Sequence, residues 1–220
     1  MKIRPILFNT DMVRAILDGR KRFTRRIIKL PKYIKKQDNG LYTLFTEGTC
    51  YENQHLEEII KYIKPPYQPG DILYVRETWC FNPNIKEYYY KANRNNGVEA
   101  PYGLKWHPSI HMPKEAARIW LKVKDVRVER LQDITEEQAY HEGIMKGHDD
   151  YSERDYWYYK ENQDYLTGEV WTDSARQCFL WGLWDSTLKK SDLGLYDFNA
   201  NPWVWVIEFE RCEKPEVENA

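Results

Sequence analysis

Apolar residues recur along this chain with two periods, and each change of period marks a new element. Pro5-Ile6-Leu7-Phe8 is a short apolar run that reads as a strand. Met12, Val13, Ile16 and Leu17 then fall at helical spacing, which predicts a helix over 11–18 with Thr10 as its cap. Gly19 stands where a helix end takes a left-handed residue, and extended chain is expected over 24–28, ending before Pro31. Residues 32–66 have weak periodicity apart from a short helix over 56–63, which Pro65-Pro66 stops. Pro69-Gly70-Asp71 predicts a turn, residues 72–79 a buried strand, and 87–91 a Tyr-rich strand.

In the second half, Ile119, Leu121 and Val123 alternate, and so do Val126 and Val128. This predicts one long strand or two, with a bend near Lys124-Asp125. Thr135 followed by Gln138 is a capping box, opening a helix that carries Ala139 and Glu142 and stops at Gly143. Residues 145–172 are polar and aromatic without a period. Residues 174–188 predict an amphipathic helix with Cys178, Trp181, Leu183 and Trp184 inward. Residues 203–209 close the chain as a strand with Trp203 and Trp205 on one face, and 213–220 read as a flexible tail. Short strands, few helices and no βαβ alternation point to an α+β fold built on a small barrel. The length of 220 residues fits a single domain over 1–212, with insertions at about 32–66 and 145–172.

Composition narrows the class further. Apolar residues make up 42% and charged residues 30%, with a mean hydropathy of -0.79. No run approaches the roughly 18 apolar residues of a membrane helix, and the N-terminus lacks a signal-peptide core, so a cytoplasmic protein is expected. Cys50, Cys80, Cys178 and Cys212 form no C-x-x-C pair and have no His at zinc-finger spacing. They read as reduced structural thiols, and neither a metal nor a cofactor is expected. Net charge is only -1, yet it is unevenly spread. Residues 1–36 hold twelve Lys or Arg against two Asp, whereas 125–175 hold fourteen Asp or Glu against five Lys or Arg. The basic end suits an anionic partner such as a phosphate backbone, and it suits equally an attraction between the two halves.

The densest candidate chemistry is Gly19-Arg20-Lys21-Arg22-Phe23-Thr24-Arg25-Arg26. Thr24 and Arg26 share a face of an extended strand, and Lys21 joins Thr24 only if the chain turns after Gly19. The same residues also fit a solvated basic turn. Glu142, alone near a helix end, reads as solvated. Nine Trp and seventeen Tyr offer stacking surfaces, with Tyr88–Tyr90 and Trp106 beside polar loops, although such aromatics also build cores.

The block RPILFNTDMVRAILDGRKRFTRRIIK resembles the start of ASCH-domain proteins, above all the longer kind found in bacteriophage and prophage genomes. YQPGDILYVRETW, WHPSIHMPKEAARIWLKVKDVRVERLQDITEEQAYHEGI, LWDS and NPWVWVIEFER follow in that family's order. The resemblance implies a small PUA-like (ASCH) mixed β-barrel with flanking helices and a cleft for RNA or a modified nucleoside, in a bacterial host cell. Small bacterial members of this superfamily are N(4)-acetylcytidine amidohydrolases. Their pattern G-R-K-x-x-T, and a Glu in a later helix, fall on Lys21, Thr24 and Glu142 as catalytic residues. Arg26 also matches a family position. Arg20, Arg22, Glu77 and Trp79, which stand in the matching stretches, are assigned with it to substrate binding. The chain departs from the small enzymes at Arg22, where they carry Thr, and is about twice their length. The implied chemistry is attack by Thr24 on the acetyl carbon, with Lys21 as base and Glu142 activating water. The alternatives are a non-catalytic RNA- or DNA-binding module and a ribonuclease.

Overall fold

The computed structural model describes residues 1–46, 49–60, 62–93, 99–159 and 172–216. The chain opens with strand β1 (Ile3–Leu7), helix α1 (Thr10–Leu17) and strand β2 (Phe23–Ile27). Residues 32–66 hold β3 (Ile34–Lys36), β4 (Tyr42–Thr46), β5 (Thr49–Gln54) and a short helix α2 (Leu56–Ile60). Strand β6 (Ile72–Arg76) is followed by the hairpin β7 (Trp79–Asn82) and β8 (Glu87–Tyr90). The long strand β9 (Trp120–Arg130) leads to helix α3 (Glu136–Tyr140) and the hairpin β10 (Met145–Asp149) and β11 (Arg154–Tyr158). Helix α4 (Ala175–Cys178) and strand β12 (Trp203–Cys212) complete the order.

The fold is α+β. Its main sheet has the order β1-β6-β9-β12-β2, with β1 and β6 parallel and the other neighbours antiparallel. Among the described residues no backbone ladder joins β2 to β1 at the two ends of that order. Alternation along β12 divides the core. Trp205, Ile207 and Phe209 pack with Ile6, Val13, Ile16, Leu73 and Leu121 on one face. Val204 and Val206 pack with Leu131, Ala139, Phe179 and Leu180 on the other. Among the described residues no helix is long and apolar enough to cross a membrane.

Several expectations are corrected by local physics. Asn9, not Thr10, caps α1, because its Oδ1 accepts the Met12 N–H at 2.8 Å while Thr10 is already helical. The capping box at Thr135 and Gln138 forms as expected. The strand expected over 72–79 breaks at Glu77. There the backbone N–H turns to the Met112 sulfur and the chain leaves the main sheet for β7. The bend expected near Lys124 is a bulge. Asp125 faces Glu208 and Val123 faces Phe209, so Lys124 has no opposite number on β12. Residues 145–172 contain a regular hairpin where no period was visible, since His148 and Lys146 pair with Asp155 across it. The helix expected over 174–188 is interrupted by a π-helix, Phe179–Trp184. Its wider turn puts Leu180 in the core and leaves Trp181 51% exposed, not inward. Residues 160–171 of the second expected insertion, and 217–220 of the expected tail, lie outside the described residues.

Candidate functional site

The turn required after Gly19 is present. Gly19 adopts φ +77°, and the chain then folds back so that the Lys21 N–H bonds the Ala15 carbonyl at 2.9 Å. The Arg22 N–H bonds the His141 carbonyl at 2.8 Å, which ties this segment to the end of α3. Helix α3 ends at Tyr140 with His141 as its C-cap, so Glu142 stands in the turn after the helix and not within it. Gly143 follows at φ +111°, and a Cβ there would stand 3.1 Å from Ala15 Cβ. The absence of a side chain at Gly143 therefore lets α1 and the end of α3 meet, with Lys21 and Glu142 between them.

Those two side chains form a buried ion pair. Lys21 Nζ donates to Glu142 Oε2 at 2.8 Å and to the Glu142 carbonyl at 2.7 Å. Arg25 Nη1 donates to the other carboxylate oxygen, Oε1, at 2.9 Å. Arg25 is held in turn by Gln138 Oε1 at 2.7 Å and Glu129 Oε2 at 3.2 Å, while its buried Nε has no partner among the described residues. Lys21, Thr24, Arg25 and Glu142 are each at most 3% exposed. Part of the attraction between the basic first segment and the acidic later one is thus spent inside the fold.

The network sets the proton affinities. Burial raises the Glu142 carboxyl, but Lys21 and Arg25 together outweigh it and hold it below its ordinary value of 4.5. Burial lowers the Lys21 ammonium, with Arg26 and Arg25 adding to the effect and Glu142 opposing it. The folded Glu142 value lies below the unfolded one, so its stabilisation is full above about pH 4.5 and is lost as pH falls through the folded value. The gap in urea midpoint between wild type and Glu142→Gln is therefore expected to shrink on acidification below that pH. A gap that stays constant from pH 7 to pH 3 would contradict this assignment.

A cavity of about 20 Å³ lies beside the network, walled by Thr24, Arg25, Arg26 and Glu142 and by Met12 and Phe179. It has room for a water-sized group. Thr24 and Arg26 lie on the opposite face of β2 from Arg25. All three wall this space, so it runs along the edge of β2 that β12 does not cover. A larger open cleft of about 320 Å³ shares Arg25, Arg26, Trp184 and Thr187 with it and adds Lys29 and Lys189. Arg26 also donates to the Leu7 carbonyl at 3.1 Å, and its guanidinium lies 5.4 Å from the Phe8 ring centre. Two cations, Arg25 and Arg26, and one carboxylate, Glu142, wall the small cavity, an excess that favours an electron-rich guest. Lys21, paired to that carboxylate, lines the groove on the Arg22 side.

The other candidate residues lie elsewhere. Arg20 is engaged by Asp18 and the Gly143 carbonyl, and Arg22 is exposed over a different groove with Lys124 and Arg211. Glu77 is buried in a two-pronged pair with Arg118 at 2.9 and 3.0 Å, and burial raises its carboxyl against that pairing. Trp79 packs against His107 and Tyr88 in a row of rings along the β7–β8 hairpin. None of these four walls the cavity beside Thr24.

Sequence reasoning reads Arg25 only as one charge of the basic segment and Gln138 only as part of a cap, and misses Glu129 and the contacts that join the three. One signal was available for Arg25, since it shares its strand face with Phe23 and Ile27, and a charge in an apolar stripe must find a partner. Among the described residues no three His, Cys, Asp or Glu side chains gather as metal ligands would. No protein-family model, curated protein or solved structure matches this chain.

Proposed function

We propose that this chain is a PUA-like, ASCH-type domain that takes a modified nucleoside, free or in RNA, and hydrolyses the acetyl amide of N(4)-acetylcytidine or a related base. The observation that carries this reading is the contact of Lys21 Nζ with Glu142 Oε2 at 2.8 Å, with Thr24, Arg26 and Glu142 on one cavity. The G-R-K-x-x-T pattern supports it. The barrel form is supported by the approach of the outer strands, because Arg26 of β2 reaches the Leu7 carbonyl of β1. Phe8, just past β1, also packs on Phe209 of β12 at 6.1 Å.

In this reading the nucleoside occupies the outer cleft, and its acetyl group points toward Thr24. The Lys21 ammonium must first lose a proton, and burial together with Arg25 and Arg26 favours that loss. The neutral amine takes the Thr24 hydroxyl proton as Oγ1 bonds the acetyl carbon. Arg26 holds the oxyanion that forms. The carbon–nitrogen bond breaks, the cytosine amine leaves with the proton from Lys21, and acetyl-Thr24 remains. Glu142 then accepts a proton from water as that water attacks the ester, and passes it to Thr24 Oγ1 as the carbon–oxygen bond breaks, releasing acetic acid and restoring Thr24 and the Glu142 carboxylate.

Incubation with N(4)-acetylcytidine tests the proposal. Turnover is expected in the wild type and a drop of about 10²–10⁴-fold in Lys21→Ala or Thr24→Val. A folded wild type with no turnover rules out the hydrolase. The small inner cavity and the open basic cleft favour a second reading, a non-catalytic RNA-binding module. That reading requires oligonucleotide binding that weakens steeply with salt. Salt-insensitive binding, or none, sinks it.

A further inference from the structure

A second cavity, of about 350 Å³, lies away from the Thr24 site, between segment 32–66 and the chain on either side of it. Its floor is aliphatic: Ile28 and Leu30 follow β2, and Leu56 and Ile60 come from α2. Tyr42 of β4 and Trp203 of β12 supply flat walls. Lys36 and Arg130 are the charged residues of the lining, and both are cations. The size falls within the 300–1,000 Å³ typical of small-ligand sites, and an apolar body with a few placed polar groups is their usual make-up.

Among the described residues the two cations are weakly neutralised. Arg130 stacks on Trp203, with its guanidinium carbon 4.3 Å from the ring centre. That stacking fixes the plane of the guanidinium and leaves its edge available. Its Nη1 donates to the Asn201 carbonyl at 3.2 Å. The Glu57 carboxylate stands 3.9 Å from Nη2 with its side chain 69% exposed, so solvent screens that pair. Lys36 is exposed at the rim. A ligand that satisfies this lining has a flat aromatic body for Tyr42, Trp203 and the aliphatic floor, and a negative group at one end for Arg130 and Lys36.

We propose that this cavity is a binding site for a small aromatic anion, with segment 32–66 supplying one wall and the chain around β2 and β12 the other. The inference is independent of the chemistry at Thr24. It gives segment 32–66 a task that the proposed hydrolase does not require.

The probe is 8-anilinonaphthalene-1-sulfonate, compared with N-phenyl-1-naphthylamine, which has the same rings without the sulfonate. Both are titrated by fluorescence into the full chain under conditions where a cooperative unfolding transition shows it to be folded, since loosely packed states also bind the sulfonate. The wild type is expected to bind the sulfonate saturably and more tightly than the neutral probe. Arg130→Gln is expected to weaken sulfonate binding about tenfold, the loss of one charge-assisted hydrogen bond, and to leave the neutral probe unchanged. Leu56→Trp, which fills the floor, is expected to abolish binding of both. Absence of saturable sulfonate binding by the folded wild type overturns the proposal. So does an Arg130→Gln variant with unaltered preference for the sulfonate, whether or not Leu56→Trp folds.

Discussion

Replacing Glu142 with Ala is expected to destabilise the fold by about 3–5 kcal/mol, because it leaves the buried Lys21 and Arg25 without their shared carboxylate. The expected loss is large for a specific reason. Each charge has already given up its hydration, and Lys21 has no carboxylate other than Glu142 among its ion pairs with described residues. Arg25 keeps Glu129 and Gln138, so most of the penalty falls on Lys21. The double variant Lys21→Met with Glu142→Leu removes the stranded charge and keeps apolar volume. It is expected to recover most of the loss, as replacement of a whole buried pair by apolar residues often does. Urea unfolding of the two variants checks this. A double variant no more stable than Glu142→Ala would mean that the pair is not what holds this region. Both variants should lack turnover, which separates the stability of the site from its chemistry.

Leu121→Ala is expected to cost about 3–5 kcal/mol, the upper part of the range for a buried Leu. Leu121 is fully buried on β9 and faces the equally buried Leu73 of β6 across the ladder. On its other side β9 is paired to β12, where Arg211 stands opposite. A residue whose strand is hydrogen-bonded on both sides cannot let the backbone collapse into the space its side chain vacates. The cavity therefore persists and its surface adds to the lost transfer energy. The denaturation midpoint of the variant measures this, and a loss below about 2 kcal/mol would show that the sheet relaxes where the two ladders imply it cannot.

The parts of the fold that could be read from the chain are those fixed by neighbours in sequence. The stripe of α1, the alternation of β9, the capping box at Thr135 and the turn after Gly19 all follow from residues a few positions apart. The cap of α1 slipped by one residue, because Asn9 and Thr10 are both able caps and only the backbone conformation decides between them. The π-turn at Phe179–Trp184 had no local signal, since the periodicity of its apolar residues suits an ordinary helix as well. At the site, Lys21, Thr24 and Glu142 were named from a motif, and Arg26 beside them. Arg25 stands in the same basic segment, but nothing along the chain shows that it grips the same carboxylate. Read along the chain, Arg25 is one more charge in a basic run. Only the register of β2 on β12, and the arrival of α3 from a distant stretch, show that it faces inward.

That register has a consequence for how the protein is made. Phe23 pairs with Glu208, and Ile27 with Val204, so the strand that carries Thr24 waits for a partner that leaves the ribosome almost a full chain length later. Until then five basic side chains and a bare strand edge are exposed together on a nascent chain, beside ribosomal RNA that carries the opposite charge. Pairing at such sequence separation is slow, because the long intervening loop must close first. The order of synthesis makes β12 the closing piece. Any product that stops short of it has every residue of the candidate network but lacks the strand that holds β2 in the sheet.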